Sequence, residues 1–453
     1  MGNLFASLLT TAGTMRAYER SLATIQNNVA NVNTPGFVKQ RQILEAKRFD
    51  LPAGIPGGVD AGRVADYRNP YLEEGVRRRG EQFGRWDQST RDLAGLESVF
   101  SVSPGAGVPG AFDRLFQSFS QLTVAPNDRT ARQLSLDRAR EAAVSLNTTA
   151  RSLTEARGVA NAEIQATVAR INQIGERIAD FNRQARESTS GAKDPGLGAS
   201  INSTLEELSG LVNFRSVEQP DGSVSLFIGA GRQFVLGSSV LPLSVASFGE
   251  ERRIVDGGQE DITALVDGGK LAALLENHNE RIPGYLGELN GLAKNLADAV
   301  NDRLSQGIDQ SGLPPGEALF NYDEAAGAAV TLRVADLEPE DLALATPGSP
   351  GGNGNAVELA KLGQQVQANG FTLAQGYASI ASRFGRELNF SSENKGIAEQ
   401  LLQQARTLRQ DETGVQLDEE AAQLIQNQRA YQAAAQLFKV LNELTQSLLN
   451  LPS

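Results

Sequence analysis

Apolar positions in the first 32 residues follow two interleaved seven-residue series. One series is Leu8, Met15, Leu22 and Val29, and the other is Leu4, Thr11, Tyr18, Ile25 and Val32. Together they alternate spacings of four and three over about four heptads, the pattern of a coiled-coil seam. A turn motif follows, formed by Asn31, Asn33, Pro35 and Gly36. Because proline cannot continue a helix, the pattern predicts that this first helix ends before Pro35.

A second amphipathic helix is predicted at the other end of the chain. Acidic residues at 418–420 suit the positive end of a helix dipole, and an apolar stripe follows at spacings of four and three. Residues 1–50 carry six basic and three acidic side chains, whereas residues 411–453 carry two basic and six acidic ones. The opposite charges favour pairing of the two terminal helices with each other. The alternative is that each stripe packs onto its own domain.

We expect the two stripes to form an assembly interface when copies of the chain associate. The residues assigned to that interface are Leu8, Met15, Tyr18, Leu22, Ile25, Val29, Leu424, Tyr431, Phe438 and Leu441.

The interior of the chain changes from helical to alternating patterns and back. No proline occurs between Pro126 and Pro195, and a helical stripe runs through this stretch, which predicts a rod approaching ~90 Å in length. Residues 372–410 read as another long helix. Around residues 213–245 the pattern alternates, with a turn signal at residues 220–223, as in paired strands.

The expected fold class is mainly α with an inserted β-containing domain. A long helical bundle or coiled-coil rod is built from both termini, and an outer α+β domain projects from it. The predicted domains are residues 1–50 with 411–453 (terminal coiled coil), 51–204 with 346–410 (α-helical rod) and 205–345 (outer β-containing domain).

Composition argues against most catalytic chemistry. The 453 residues include no cysteine and one histidine, and the net charge is −12, so thiol catalysis and wrapping of nucleic acid are both disfavoured. The first 15 residues have no basic region followed by a cleavage site, so no cleaved signal peptide is predicted. No membrane span, cofactor site or metal site is expected.

Two features were weighed as chemical sites. Residues Gly105–Gly110 match G-x-G-x-x-G, but no hydrophobic strand precedes them and Pro109 lacks an amide, so a plain loop is favoured over a dinucleotide site. A nucleotide-binding enzyme that uses these glycines remains the remote alternative. His278 lies in the polar stretch ENHNE at residues 276–280, with no HExxH or calcium-loop motif in the sequence, and we expect it to be an exposed helix residue.

The two ends of the chain resemble those of bacterial flagellar axial proteins, the rod, hook and hook-associated subunits. The segment NNVANVNTPGF at residues 27–37 is similar to their N-terminal signature, and LDEEAAQLIQNQRAYQAAA at residues 417–435 is similar to their C-terminal helix. Within this superfamily, residues 128–134 and 262–275 are similar to internal segments of the junction subunits between hook and filament.

The resemblance implies a structural adaptor of the flagellum that joins hook to filament, with no enzymatic activity. It implies a homo-oligomeric ring that contacts the hook protein, a second junction protein and the filament, and an export chaperone at the C-terminal helix. It also implies type III export without a cleaved signal and an extracellular location, with no nucleic-acid or membrane partner. The alternative within the superfamily is another axial subunit, a hook or rod protein.

Overall fold

A computed structural model describes residues 2–50, 55–100, 105–187, 195–229, 231–366 and 370–449. The predicted domain limit at residue 51 lies outside these ranges. The α-helices in them are α1 Gly2–Ala30, α2 Pro70–Leu96, α3 Gly107–Val124, α4 Arg129–Glu187, α5 Pro195–Leu211, α6 Gly269–Glu276, α7 Ile282–Ser305, α8 Ala328–Thr331, α9 Gly354–Leu362, α10 Leu373–Thr413 and α11 Leu417–Leu449.

The strands are short and are grouped in two stretches of the chain, with one further pair near residue 330. They are β1 Gln40–Ala46, β2 Phe49–Asp50, β3 Ile55–Pro56, β4 Val59–Asp66, β5 Phe214–Glu218, β6 Val224–Ile228, β7 Arg232–Leu236, β8 Ser239–Val240, β9 Ser244–Phe248, β10 Glu251–Val255, β11 Phe320–Asn321 and β12 Arg333–Val334. All the pairings are antiparallel, and β5 to β8 form one sheet in chain order.

Helix α4 is the longest element, with 59 residues, and spans about 88 Å. The Oδ1 atom of Asp128 accepts hydrogen bonds from the amides of Thr130 and Ala131 at 2.8 and 3.3 Å, which caps the start of the helix. Since α4 contributes to both hydrophobic cores, it is the continuous rod that the proline-free stretch predicted.

The larger core lies among α3, the first half of α4, α7, α9 and the first half of α10. Phe100 stacks on Phe384 with 4.6 Å between ring centroids, and Tyr285 packs against both rings. These rings fix α7 and α10 to the segment that follows α2.

A buried arginine ties the start of α4 to the loop near residue 340. Arg132 is 2% exposed, and its Nη1 atom donates to the carbonyl oxygens of Pro339 and Leu342, both at 3.0 Å. These carbonyls would otherwise be buried without a partner. Their hydrogen bonds explain structurally why the segment 128–134 contains an arginine at position 132.

The smaller core is formed by the second half of α4, α5, α6 and the sheet β5–β8. Val224, Leu226 and Ile228 are all buried, as the alternating pattern predicted. The turn before β6 places Gly222 at a φ of +81°, a conformation that glycine adopts at little cost. The observed architecture confirms the predicted fold class.

The two cores divide the chain at different points from the predicted domains. Residues 282–344 were assigned to the outer β-containing domain, but α7 and the segment around β11 pack into the larger helical core. Residues 40–46 pair with residues 59–66 in the ribbon β1–β4, which lies on both sides of the predicted limit between the terminal and rod domains. The periodicity of a sequence indicates that a helix or strand has an apolar face but not which distant segment packs against it. The predicted domain limits differ from the observed ones at both places for this reason.

A polar layer lies between the two cores where α2, α10 and the segment joining α6 to α7 meet. Asn277 donates from Nδ2 to Oδ2 of Asp92 at 2.6 Å, and Arg281 donates from Nη1 to Oγ of Ser89 at 2.6 Å. The Oγ atoms of Ser89 and Ser391 are 3.0 Å apart. These hydrogen bonds give the buried side chains of Asn277, Ser89 and Ser391 polar partners.

The prediction that His278 is exposed was wrong. Its side chain is 3% exposed because a five-residue π-helical turn, Asn277–Arg281, places it against α4. Its carbonyl oxygen accepts a hydrogen bond from Nε of Arg157 at 3.1 Å. Burial lowers the pKa of the His278 imidazole.

Candidate assembly interface of the terminal helices

Helices α1 and α11 lie side by side in antiparallel orientation. Tyr431 donates from its hydroxyl to Oε1 of Glu19 at 3.1 Å, and Nζ of Lys39 lies 3.3 Å from Oε2 of Glu419. Lys39 lies beyond α1, but the next residue, Gln40, is hydrogen-bonded to Asn28 near the C-terminal end of that helix. The C-terminal end of α1 therefore lies near the start of α11, so the two helices are antiparallel. The hydrogen bond to Glu19 raises the pKa of the Tyr431 hydroxyl.

The ten residues assigned to the interface are distributed over the two paired helices. Ile25 is buried and Val29 is exposed. The remaining residues are half-buried, namely Leu8, Met15, Tyr18 and Leu22 on α1 and Leu424, Tyr431, Phe438 and Leu441 on α11. A pair of helices covers these side chains only in part, and each keeps surface that a neighbouring chain could cover.

The ribbon β1–β4 holds α1 from the other side, through contacts that the sequence pattern did not indicate. Asn28 is fully buried and forms two hydrogen bonds with the backbone of Gln40. Its Nδ2 atom donates to the carbonyl oxygen of Gln40 at 2.9 Å, and its Oδ1 atom accepts from the backbone amide of Gln40 at 3.0 Å. The hydroxyl of Thr14 accepts from the amide of Val59 at 3.2 Å. The only indication of these contacts in the sequence is that Thr14 and Asn28, on the side of α1 that faces the ribbon, are polar.

The turn after α1 is held by its own side chains. Asn31 donates from Nδ2 to the carbonyl oxygen of Asn27 at 2.9 Å, and Thr34 donates to Oδ1 of Asn31 at 3.0 Å. Asn33 and Pro35 are exposed and complete the turn.

Gly36 joins this turn to the body of the molecule. Its φ is +74°, and a Cβ atom there would lie 2.4 Å from the carbonyl oxygen of Ala199 in α5. The carbonyl oxygen of Gly36 accepts from Nη2 of Arg68 at 2.8 Å. Both the conformation and the close approach require glycine.

A buried ion network continues from Arg68 into α2, α5 and α10. Arg68 pairs with Glu73 at 2.7 Å, and Nη1 of Arg409 lies 3.0 Å from Glu73 and 2.8 Å from Glu206. Burial opposes ionisation of Glu206, but the ion pairs with Arg409 and Arg406 outweigh it and lower the pKa of this carboxyl group. The network connects the terminal helices, through the turn, to the helical body.

An apolar strip on the outer face of α11 has no cover in the single chain. It runs at spacings of three, four and four over the last turns, and each member is about half exposed. The strip consists of Leu437, Val440, Leu444 and Leu448. Phe5 and Leu9, both exposed, lie at the end of α1 that pairs with this end of α11. The α11 residues assigned to the interface from the sequence are all half-buried, and none of them belongs to this second strip.

The glycines of the G-x-G-x-x-G match have structural reasons, since Gly105 and Gly107 have φ values of +73° and +61°. A Cβ atom on Gly110 would lie 2.3 Å from the backbone of Gly105, and Arg114 donates to the Gly105 carbonyl oxygen at 2.6 Å. Within the described ranges, no group of three or more acidic or histidine side chains is arranged to hold a metal ion. The helices of that same part of the chain are all too short or too polar to cross a lipid bilayer.

Comparison with known proteins matches most of the chain to flagellar families. The family described as "Flagellar hook-associated protein FlgK helical domain" matches residues 93–320. "Flagella basal body rod protein" matches residues 8–37, and "Flagellar basal body rod FlgEFG protein C-terminal" matches residues 411–451. The two terminal matches fall on α1 with its turn and on α11.

Individual relatives give the same family assignment. Flagellar hook-associated protein 1 of Bacillus subtilis is 26% identical over 99% of both chains. Its counterpart in Salmonella typhimurium is 26% identical over 66% of this chain and 56% of its own length. The flagellar hook junction protein FlgK from Burkholderia pseudomallei has a similar fold, with a TM-score of 0.67 over 74% of this chain and 99% of that one at 16% identity. The chain therefore belongs to the FlgK family of flagellar hook-associated proteins.

Proposed function

We propose that this chain is the structural adaptor that joins hook to filament in the bacterial flagellum, and that it assembles through its terminal helices. The observation that supports this most directly is the antiparallel α1–α11 pair with an uncovered apolar strip at Leu437, Val440, Leu444 and Leu448. Neighbouring copies would cover the strip and the half-buried stripe beside it. Such burial is the main favourable term in protein association.

The adaptor forms a ring of identical copies, contacts the hook protein on one side, and contacts a second junction protein and the filament on the other. Its location is extracellular, reached by type III export without a cleaved signal, with a chaperone at α11 before assembly. The half-covered face of α11 supports a chaperone site there, since apolar strips in the free chain need cover.

Two rivals are less well supported. The rod and hook alternative rests on the terminal segments, whereas residues 93–320 match the hook-associated family. The nucleotide-dependent enzyme would use Gly105–Gly110, but these glycines are accounted for by the positive φ of Gly105 and Gly107 and by the close packing of Gly110 on Gly105.

The test places a charge in the strip. The Val440→Asp variant is expressed in a motile host whose own copy of the gene is deleted, beside the unchanged chain. Val440 is about half exposed in the single chain, so the purified variant should melt like the unchanged protein. In the assembled ring the charge would be buried without a partner, at a cost of several kcal/mol per subunit. We therefore expect intact hooks without filaments and monomeric filament protein in the medium.

Gln432→Asp is the matched control, because Gln432 is exposed on the same helix and outside the strip. It should restore filaments like the unchanged chain. Normal filaments with Val440→Asp would contradict assembly through this strip. Hookless cells in the deletion host would contradict the junction role and favour the rod or hook alternative.

A further inference from the structure

Helix α10 carries a second uncovered seam, far from the terminal strip. Its positions are spaced four, three, four, three and four residues apart, as in a coiled coil. The seam consists of Phe390, Asn394, Ile397, Leu401, Gln404 and Leu408. Phe390, Ile397 and Leu408 are 58%, 57% and 51% exposed, and Trp86 of α2 packs edge-on against Phe390. The seam spans about 27 Å of helix.

Helix α4 carries a seam with the same spacing but with smaller side chains at its centre. Its positions are Glu155, Val159, Ala162, Ala166, Ala169 and Gln173, all exposed. The α10 seam includes the large apolar side chains of Phe390, Ile397, Leu401 and Leu408, whereas the centre of the α4 seam consists of Ala162, Ala166 and Ala169. Bulky residues on one helix and small ones on the other fit knobs-into-holes packing between helices.

The two seams overlap in height on the molecule but lie on different sides. Adjacent residues of α5 reach both helices: Glu206 pairs with Arg409 of α10 at 2.8 Å, and Glu207 pairs with Arg177 of α4 at 2.7 Å. Neighbouring residues on a helix point about 100° apart, so α5 separates the two seams at this level. At the other end, Ser391 beside the first residue of the α10 seam meets Ser89, and Glu163, eight residues into the α4 seam, accepts from Gln88. The α4 seam therefore begins about 12 Å before the α10 seam and overlaps most of it.

We propose that the α10 seam of one copy packs against the α4 seam of the next copy, in addition to the contacts of the terminal helices. This inference rests on the proposed function, since it needs copies arranged side by side. Two different seams form a head-to-tail contact, which builds a ring or a helical array of copies rather than a two-fold dimer. Opposite charges flank the same end of the two seams: exposed Arg386 lies one turn before Phe390, and exposed Glu155 begins the α4 seam.

The absence of cysteine in the chain makes crosslinking a clean test. Chains with Ile397→Cys together with Ala162→Cys or Ala166→Cys are produced in the deletion host, and the purified flagella are oxidised with copper. We expect at least one of the two double variants to give dimers and higher oligomers on a non-reducing gel. Each single variant should remain monomeric, because a head-to-tail contact brings together two different positions.

Glu399→Cys with Ala166→Cys is the matched control, since Glu399 is exposed on α10 outside the seam, and it should not crosslink. Flagella that assemble normally without crosslinks in either double variant overturn the proposal. Crosslinking of Ile397→Cys alone also overturns it, because that result means that α10 pairs with itself.

A charge variant decides the case in which cysteine substitution blocks assembly. Ile397→Glu should melt like the unchanged chain and reduce the number of filament-bearing cells by about tenfold or more. Filament numbers equal to those of Glu399→Lys, the exposed control, would contradict the proposal. If the unchanged chain itself does not restore filaments, the proposed function has failed. If it does and only these variants contradict the contact, the inference about the seams alone has failed.

Discussion

Gly36 shows how a single residue of the turn after α1 sets the position of the terminal helices. The left-handed φ, the contact with α5 and the hydrogen bond from Arg68 all converge on its backbone. The sequence motif indicated a turn at this point, but the reason for glycine lies in α5, more than 160 residues further along the chain.

The first residue-scale prediction is that Gly36→Ala destabilises the protein by about 2–3 kcal/mol, because the new Cβ meets a backbone carbonyl and the φ is unfavourable for alanine. Thermal melting of the purified chain measures this effect. Gly75→Ala is the control, since Gly75 is in α2 with open space around it, and it should stabilise the helix by about 0.5–1 kcal/mol. Equal melting temperatures for the two variants would contradict the role assigned to Gly36.

Glu81 on α2 is a second residue whose surroundings alter its chemistry. Its carboxyl group packs over the backbone of Gly268, and burial together with Asp267 and Glu74 raises its pKa to about 7. Since the pKa is higher in the folded state, the contribution of this group to stability is complete below about pH 4.5 and is lost as the pH rises through 7.

The second prediction follows from this loss of stability with rising pH. Glu81→Gln should match the unchanged chain at pH 4.5 and be more stable at pH 8 by about 1–2 kcal/mol, after allowance for solvent screening. Urea unfolding at a series of pH values measures the difference. The same substitution at exposed Glu399 should leave the pH dependence unchanged. A constant difference between Glu81→Gln and the unchanged chain across the range would argue against a raised pKa.

At the scale of elements, α1 and α11 each have two distinct faces. The buried face of α1 holds Ile25 against its neighbours, and the ribbon β1–β4 is fixed by Asn28. The outer strip of α11 around Val440 is uncovered. Pairing within the chain and assembly between chains therefore use different side chains, although one helix carries the residues of both.

The third prediction separates these two uses. Ile25→Asp should open the α1–α11 pair in the isolated chain, because a charge is then buried without a partner. Hydrogen exchange of residues 417–448 should become faster by about tenfold or more, whereas Val440→Asp should leave it unchanged. If Val440→Asp exposes α11 to the same extent, the strip belongs to the folded pair and not to a partner subunit.

On the scale of the whole molecule, one 59-residue helix passes through two hydrophobic cores that a polar layer separates. The ion network of Arg68, Glu73, Arg409 and Glu206 then connects the helical body to the terminal pair. This order places the uncovered strip of α11 beyond the ion network and the seams of α4 and α10 alongside the body. A copy that adds to a ring therefore presents two separate contact zones, one in the terminal pair and one on the body.

The sequence by itself determined the long helices α1, α4, α10 and α11, their stripes and the family, because helical periodicity and the two terminal motifs are local properties of neighbouring residues. The alternating residues 224–228 and the proline-free stretch became β6 and α4 for the same reason. Only the tertiary structure decided which stripe meets which partner. It assigned residues 282–344 to the helical core, buried His278 and left Leu437, Val440 and Leu444 uncovered. Whether a side chain is buried depends on contacts with residues that are often hundreds of positions away in the sequence. No local sequence pattern indicates these contacts.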